Sequence, residues 1–231
     1  MNQRRGKYVR SGPATHKPRR AQQRLLALAA GLGVCLGGQA APMAFAAPPG
    51  AWSVGVLGGE ALNHNLKEVL PKALSGELQF EPAHLGGLVL RLSLEPPAEM
   101  AAWAAQQDIG LSTSLEVGLL KASGLVDNTE LTLDWRPALT PWQWGPVAVE
   151  FAWGVGLSYS LGQPWSDYTD PDQPGGYRLL FHMAPEIAMQ HSALPDWSLS
   201  LRLHHRSGLY GLFGPRRVGS NHLMLMLMHR F

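Results

Sequence analysis

The sequence has little charge, a single cysteine and no long apolar run in its main part. Charged residues make up 16% of the chain, against about 25% in a soluble globular protein. The cysteine is Cys35, and it lies in a segment that we expect to be removed, so neither a disulfide nor thiolate chemistry is predicted. Because no 18 consecutive apolar residues follow Ala47, no transmembrane helix is predicted either.

Residues 1–46 have the organisation of a secretory signal peptide. Eight lysines and arginines and no acid fall in the first 24 residues. An apolar segment from Leu25 to about Leu36 follows, and then the small-x-small pattern Ala44-Phe45-Ala46. The alternative is a membrane anchor, but the apolar segment is short and diluted by glycine for a span of roughly 20 residues. We therefore predict cleavage before Ala47, which leaves residues 47–231 as one domain.

The rest of the chain alternates between apolar and polar residues with a period of two, as a strand with two unlike faces does. From Val147 to Leu161 the odd positions are large and apolar, and the even positions are small or polar. We count about eight such segments, so we predict an all-β fold, an eight-stranded antiparallel transmembrane β-barrel. The other segments are Trp52 to Gly58, Leu88 to Leu94, Leu111 to Leu119, Leu131 to Arg136, Tyr177 to Gln190, Trp197 to His204 and Leu223 to Phe231.

Turn residues separate these segments. Two stretches, Asn63 to Leu74 and Pro97 to Asp108, fit no strand pattern and are left open between a helical turn and a loop. The predicted turns are Pro96-Pro97, Asp127-Asn128, Pro137 to Pro141, Pro171 to Gly176 and Pro195-Asp196.

A soluble sandwich would show the same alternation, but four features favour a barrel in the bacterial outer membrane. Several segments are longer than the usual strand of five or six residues. Their polar faces carry charges, which suits a polar barrel interior, and tryptophans lie mostly at their ends, as in an aromatic girdle. The chain ends on Phe231, like the terminal aromatic signal through which outer-membrane proteins meet the barrel assembly machinery.

His205 and Ser207 continue the apolar row of the seventh predicted strand, which runs from Trp197 through Leu203. The two side chains therefore project towards lipid, where polar groups are costly unless they are satisfied or functional. A serine becomes nucleophilic when an imidazole acts as its base. Asn221 begins the outward row of the next strand, and its amide can accept the imidazole N–H. The alternative is that this pair marks the emergence of the strand into the polar headgroup layer.

This arrangement resembles the lipid A 3-O-deacylases (the PagL family), in which a His-x-Ser pair stands near the end of the penultimate strand. The resemblance covers residues 197–231 by motif and the rest in architecture. It implies a Ser-His-Glu triad on the outside of the barrel that hydrolyses the ester at the 3-position of lipid A, with His205 as base and Ser207 as nucleophile. The chain departs from the family where Gly208 replaces an asparagine and Asn221 replaces the glutamate.

Other residues are expected to support this chemistry. Backbone amides around Gly208 could hold an oxyanion. Glu186 is an alternative acid, although its parity places it inside the barrel. Arg216 and Arg217 are assigned to contacts with lipid phosphate rather than to nucleic acid. The expected substrate is lipid A or lipopolysaccharide in the membrane.

No cofactor or metal is expected, because the faces of His191, His204, His222 and His229 alternate and no acid or cysteine completes a ligand set. The predicted function is an outer-membrane serine esterase that removes an ester-linked acyl chain from lipopolysaccharide. The alternative is a non-catalytic barrel with a structural, adhesive or lipid-organising role. A small pore is disfavoured, since side chains usually fill an eight-stranded barrel. A homodimer stays open.

Overall fold

Eight antiparallel strands close into a barrel in the computed structural model, which describes residues 47–125, 127–162, 177–214 and 218–231. Each strand pairs with the next along the chain, and the first pairs with the last. The predicted eight-stranded antiparallel barrel is therefore confirmed. The strands are β1 (Trp52–Leu62), β2 (Phe80–Leu94), β3 (Gly110–Gly124), β4 (Asn128–Trp144), β5 (Val147–Ser160), β6 (Leu179–His191), β7 (Trp197–Ser207) and β8 (Gly219–Arg230).

The alternation in the sequence separates the outer wall of the barrel from its interior. On β7 the even residues Ser200, Arg202, His204 and Arg206 are at most 3% exposed, whereas Leu201 is 48% exposed. Apolar side chains on the outside and charged side chains on the inside reverse the arrangement of a soluble protein. A lipid bilayer is the solvent that matches such a wall, and a closed barrel leaves no unpaired backbone edge in it.

An ionic network fills the barrel around Arg202. The Arg202 guanidinium donates hydrogen bonds of 2.5–2.9 Å to Glu116 and Glu186. Glu186 also accepts one from Arg136 at 3.0 Å, and Glu116 accepts one from Arg91 at 2.7 Å. These pairs join strands across the lumen, so that side chains occupy the space that a pore would need.

A second buried cluster lies further along the lumen, behind the end of β7. His182 contacts Asp134 through Nδ1 at 2.8 Å and His204 through Nε2 at 2.9 Å. His204 Nε2 lies 2.9 Å from a carboxylate oxygen of Glu130. Each of these side chains is almost fully buried. The inward direction predicted for His204 thus gives it partners in the lumen rather than at the outer wall.

Two short helices occupy the stretches that fitted no strand pattern, α1 (Leu66–Ser75) and α2 (Ala98–Gln106). In α1 the side chains of Asn65 and Glu68 form a capping box, which satisfies N–H groups at the first turn. Gly76 ends this helix in the left-handed region at φ 72°, where glycine has no steric penalty. Among the described residues, no helix has both the length and the apolar character needed to cross a membrane.

The turn predicted from Pro137 to Pro141 is wrong. β4 continues through these residues to Trp144, and the chain reverses at Gly145 with φ 56°. The pairing of β4 with β5 shifts by one residue between Leu139 and Trp142. A bulge of this kind tolerates proline, which has no N–H to donate to the ladder. The turn predicted from Pro171 to Gly176 lies outside the described residues.

The two ends of the barrel differ in their connections. Four of the five tryptophans that are exposed among the described residues lie at the end that carries the chain termini, and the fifth, Trp153, lies midway along β5. The four, in β1, α2, β4 and β7, are Trp52, Trp103, Trp144 and Trp197. This end fits one aromatic girdle of a membrane barrel. The opposite end carries the β1–β2, β3–β4, β5–β6 and β7–β8 connections, three of which are long, and long connections are typical of the extracellular side. This second end is called the outer end below.

Candidate functional site

His205 and Ser207 lie on the outer wall at the outer end of β7. Both side chains are half-buried. Arg206, which lies between them in the chain, and His204, which precedes His205, point into the lumen. The sequence predicted this direction from the period of two alone. His205 lies opposite Met183 of β6 and Asn221 of β8, and Ser207 lies opposite Phe181 and Gly219.

His205 and Asn221 are hydrogen-bonded across the β7–β8 pair. His205 Nδ1 lies 2.7 Å from Asn221 Oδ1, and Asn221 Nδ2 donates a hydrogen bond of 2.7 Å to the main-chain oxygen of His64. A carbonyl oxygen accepts and cannot donate, so the amide must turn its NH₂ group to His64 and its oxygen to His205. The imidazole therefore donates from Nδ1, and its Nε2 carries the lone pair that a general base needs.

The neck of the β1–β2 connection holds the His64 oxygen in place. The His64 side chain accepts the Gln79 N–H through Nε2 at 3.0 Å, and the Asn63 N–H donates to the Gln79 oxygen at 3.0 Å. Sequence reasoning missed His64, because it belongs to a stretch without a strand pattern. Its partner Asn221 stands 157 residues further along the chain, and no local signal reports such a contact.

Ser207 Oγ is not hydrogen-bonded to His205 within the described part of the chain. The two residues are neighbours on one face of the strand, with Cα atoms roughly 7 Å apart. Catalytic hydrogen bonds are often loose before substrate binds. The backbone places the two side chains on the same surface, and a hydrogen bond between them would require rotation of one or both side chains.

Of the backbone amides around Gly208 that the sequence suggested for an oxyanion, the Gly208 N–H is already engaged in the structure. It donates to the Val218 oxygen at 3.2 Å and closes the β7–β8 connection. The next two residues, Leu209 and Tyr210, adopt φ of 43° and 55°, which is strained for side chains of this size. Among the described residues of this connection, Gly208, Gly211, Leu212 and Phe213 donate backbone hydrogen bonds, and the N–H groups of Leu209 and Tyr210 do not. They are the better candidates for an oxyanion site.

The remaining predictions from the sequence concern Arg216 and Arg217, Glu186 and a metal site. Arg216 and Arg217, predicted to contact lipid phosphate, lie outside the described residues. Glu186 is excluded as the acid of the triad, because its carboxylate is buried in the lumen between Arg136 and Arg202. Among the described residues, no group of three or more His, Cys, Asp and Glu side chains is placed to hold a metal ion.

A further polar pair on the outer wall was not predicted. His84 Nδ1 lies 3.7 Å from Glu60 Oε1, and both side chains are exposed on neighbouring strands. Glu60 lies opposite Leu223 of β8, which in turn lies opposite Leu203 of β7. Two interstrand spacings, about 10 Å in all, therefore separate Glu60 from β7. Glu60 is therefore too far away to contact His205.

No family model and no curated protein sequence matches the chain. Solved structures of similar fold include the outer membrane enzyme PagL, with a TM-score of 0.54 and 15% identity over 77% of this chain and 98% of that one. They also include the N-terminal β-barrel domain of Pseudomonas aeruginosa OprF, with a TM-score of 0.43 and 10% identity over 79% and 98% of the two chains. Ail, the attachment invasion locus protein of Yersinia pestis, matches with a TM-score of 0.39 and 12% identity over 79% and 99%.

The likeness to PagL shows the fold, and at 15% identity it shows no more than that. The fold itself, a closed barrel with an apolar wall and an ionic interior, is that of a bacterial outer-membrane protein. The predicted location in the outer membrane is therefore confirmed.

Proposed function

We propose that this outer-membrane barrel is a serine esterase that removes an ester-linked acyl chain from lipid A. The observation that carries the proposal is the hydrogen-bonded series from His205 Nδ1 through Asn221 to the His64 oxygen, beside Ser207. It orients the imidazole on a wall that a membrane lipid reaches by lateral diffusion. A substrate that arrives from the side explains why the pair faces lipid rather than the lumen.

The proposed reaction has two stages. His205 Nε2 takes the proton of Ser207 Oγ as that oxygen attacks the carbonyl carbon of the ester. The tetrahedral intermediate collapses, the sugar oxygen leaves with the proton from Nε2, and the acyl group stays on Ser207. Water then attacks the acyl-enzyme with His205 again as the base, which releases the fatty acid and regenerates the Ser207 hydroxyl.

Two neighbouring groups support the developing charges. The N–H groups of Leu209 and Tyr210, two and three residues after Ser207, could donate to the oxyanion. The Asn221 oxygen accepts the Nδ1 proton of the imidazolium, although a neutral amide stabilises that cation less than a carboxylate does. We therefore expect a slower enzyme than one with a complete Ser-His-Glu triad.

Replacement of His205 by alanine should abolish the loss of one hydroxyacyl chain from lipid A. The measurement is mass spectrometry of lipid A from cells that express the wild type, His205→Ala or His84→Ala. His84 is a matched control, because it is also an outward-facing histidine near the outer end but lies on β2, away from Ser207. The wild type and the His84 variant should both shorten lipid A.

Intact lipid A in cells that contain a folded wild-type barrel would overturn the proposal and favour a non-catalytic barrel. Shortening by His205→Ala at the wild-type rate would also overturn it. Slower migration of the barrel after heating in a detergent gel checks that each variant is folded.

Replacement of Asn221 by aspartate should raise kcat about tenfold, because a charge-assisted hydrogen bond to the imidazolium is roughly twice as strong as a neutral one. The carboxylate keeps the acceptor for His205 but loses the donor to the His64 oxygen. Asn221→Leu is the matched control, since it keeps the size and removes both hydrogen bonds, and it should lower kcat. The readout is kcat on purified lipid A in detergent; an aspartate variant as slow as the leucine variant would contradict the prediction.

A further inference from the structure

The helix α1 exposes two leucines at the outer end of the barrel. Leu70 is 67% exposed and Leu74 is 82% exposed, and they lie one helical turn apart on the same face. The buried residue of the helix is Val69. A helix of ten residues is marginal on its own in water, and here much of its apolar surface is left without a protein partner in the described part of the chain.

The β7–β8 connection exposes apolar side chains in the same way. Tyr210 is 88% exposed and Leu212 is 73% exposed. Tyr210 is one of the two residues held in the left-handed region, and hydrogen bonds from Gly211 and Phe213 to the Gly208 oxygen fix this conformation. The fold thus maintains a strained turn that exposes Tyr210 and Leu212.

Both connections start from the same part of the wall. The neck of the β1–β2 connection is hydrogen-bonded to Asn221 on β8 through the His64 oxygen, and α1 begins two residues after His64. The β7–β8 connection leaves β7 directly after Ser207, in the outward row of that strand. The two connections therefore leave the barrel from the lipid-facing surface of β7 and β8, at the ends of these strands.

We infer that α1 and the turn at Tyr210 and Leu212 lie in the outer leaflet of the membrane, with their apolar side chains immersed in lipid. Continuity with the lipid-facing wall favours this occupant, since the adjoining strands already contact acyl chains. The composition of α1 also suits the boundary between headgroups and acyl chains. Lys67 lies beside Leu70 and Leu74 on the exposed side, where an ammonium group meets lipid phosphate.

The two connections then frame the surface around His205 and Ser207 with immersed side chains on both sides. This surface would lie at the level of the headgroups rather than in the solvent above them. This placement in the membrane follows from the exposed apolar side chains and from the strands at which the two connections start. It does not depend on whether the protein is an esterase. An inactive barrel with immersed connections would leave it intact.

Spin labels test the inference directly. Single cysteines replace Leu70, Leu74, Tyr210 or Leu212 in a Cys35→Ser background, and each labelled barrel is inserted into vesicles of phosphatidylcholine and phosphatidylglycerol. Collision rates of the nitroxide with oxygen, which partitions into lipid, and with a water-soluble nickel chelate then report its surroundings. All four labels should collide mainly with oxygen, as should a reference label at Val56, which is exposed on the lipid-facing wall.

Labels at Ser75 and Glu77 are the matched controls, because both residues are exposed and polar at the end of the same helix. They should collide mainly with the nickel chelate. If the labels at Leu70 and Leu74 are as accessible to nickel as those at Ser75 and Glu77, the inference is wrong. Spin–spin broadening that disappears on dilution with unlabelled barrel would show that a second copy covers this surface, and it would overturn the inference as well.

Discussion

The Ser207→Ala variant should lose at least about 1,000-fold in the rate of deacylation while forming the same barrel. In the proposed reaction Ser207 Oγ makes the covalent bond to the acyl group, and no other described hydroxyl shares the outward row with His205. Alanine removes one oxygen from a half-buried position at a strand end and leaves no buried polar group unpaired. The stability of the barrel should therefore change by less than about 0.5 kcal/mol.

The measurement is the initial rate of fatty acid release from purified lipid A in detergent, with products identified by mass spectrometry. Ser198→Ala is the matched control, because Ser198 stands on the same strand at the opposite end, where it lines a polar cavity of about 60 Å³. It should retain the wild-type rate. A Ser207 variant that retains the wild-type rate would show that the nucleophile lies elsewhere.

The Arg202→Met variant should lose about 3–5 kcal/mol of unfolding free energy. Arg202 is 3% exposed and donates to both Glu116 and Glu186. Methionine fills similar space but leaves the lumen with an excess negative charge. Arg91 and Arg136 still contact these two carboxylates, so the loss is that of one unbalanced buried charge.

Arg230→Met provides the contrast. Arg230 pairs with Asp196 at 3.2 Å, but that aspartate is largely exposed at the end of the barrel. An exposed ion pair contributes between zero and about 1 kcal/mol. Urea unfolding of both variants in detergent micelles gives the comparison. Equal losses in the two variants would mean that the buried network contributes no more than a surface pair.

The strands could be predicted well because their signal is local. Each residue on the wall of a barrel faces either lipid or the lumen. Apolar and polar residues therefore alternate along β5 and β7 in step with the direction of the side chains. The helices were harder to assign, since α1 depends on a capping box and a terminal glycine rather than on a period. The prolines of β4 misled the prediction, because Pro141 falls in a bulge of the strand and Pro137 lies in its regular pairing with Thr113 of β3.

The same distinction between local signals and long-range contacts applies to the candidate site. The sequence by itself determined that His205, Ser207 and the start of β8 face outward and that His204 and Arg206 face the lumen, because direction on a strand follows from parity. Tertiary structure decided which groups those side chains meet. The Asn221 amide finds the His64 oxygen across the closure of the barrel, 157 residues away, and the Gly208 N–H is taken by Val218 when the β7–β8 connection closes. Such contacts depend on register and loop geometry, which residue spacing along one strand does not encode.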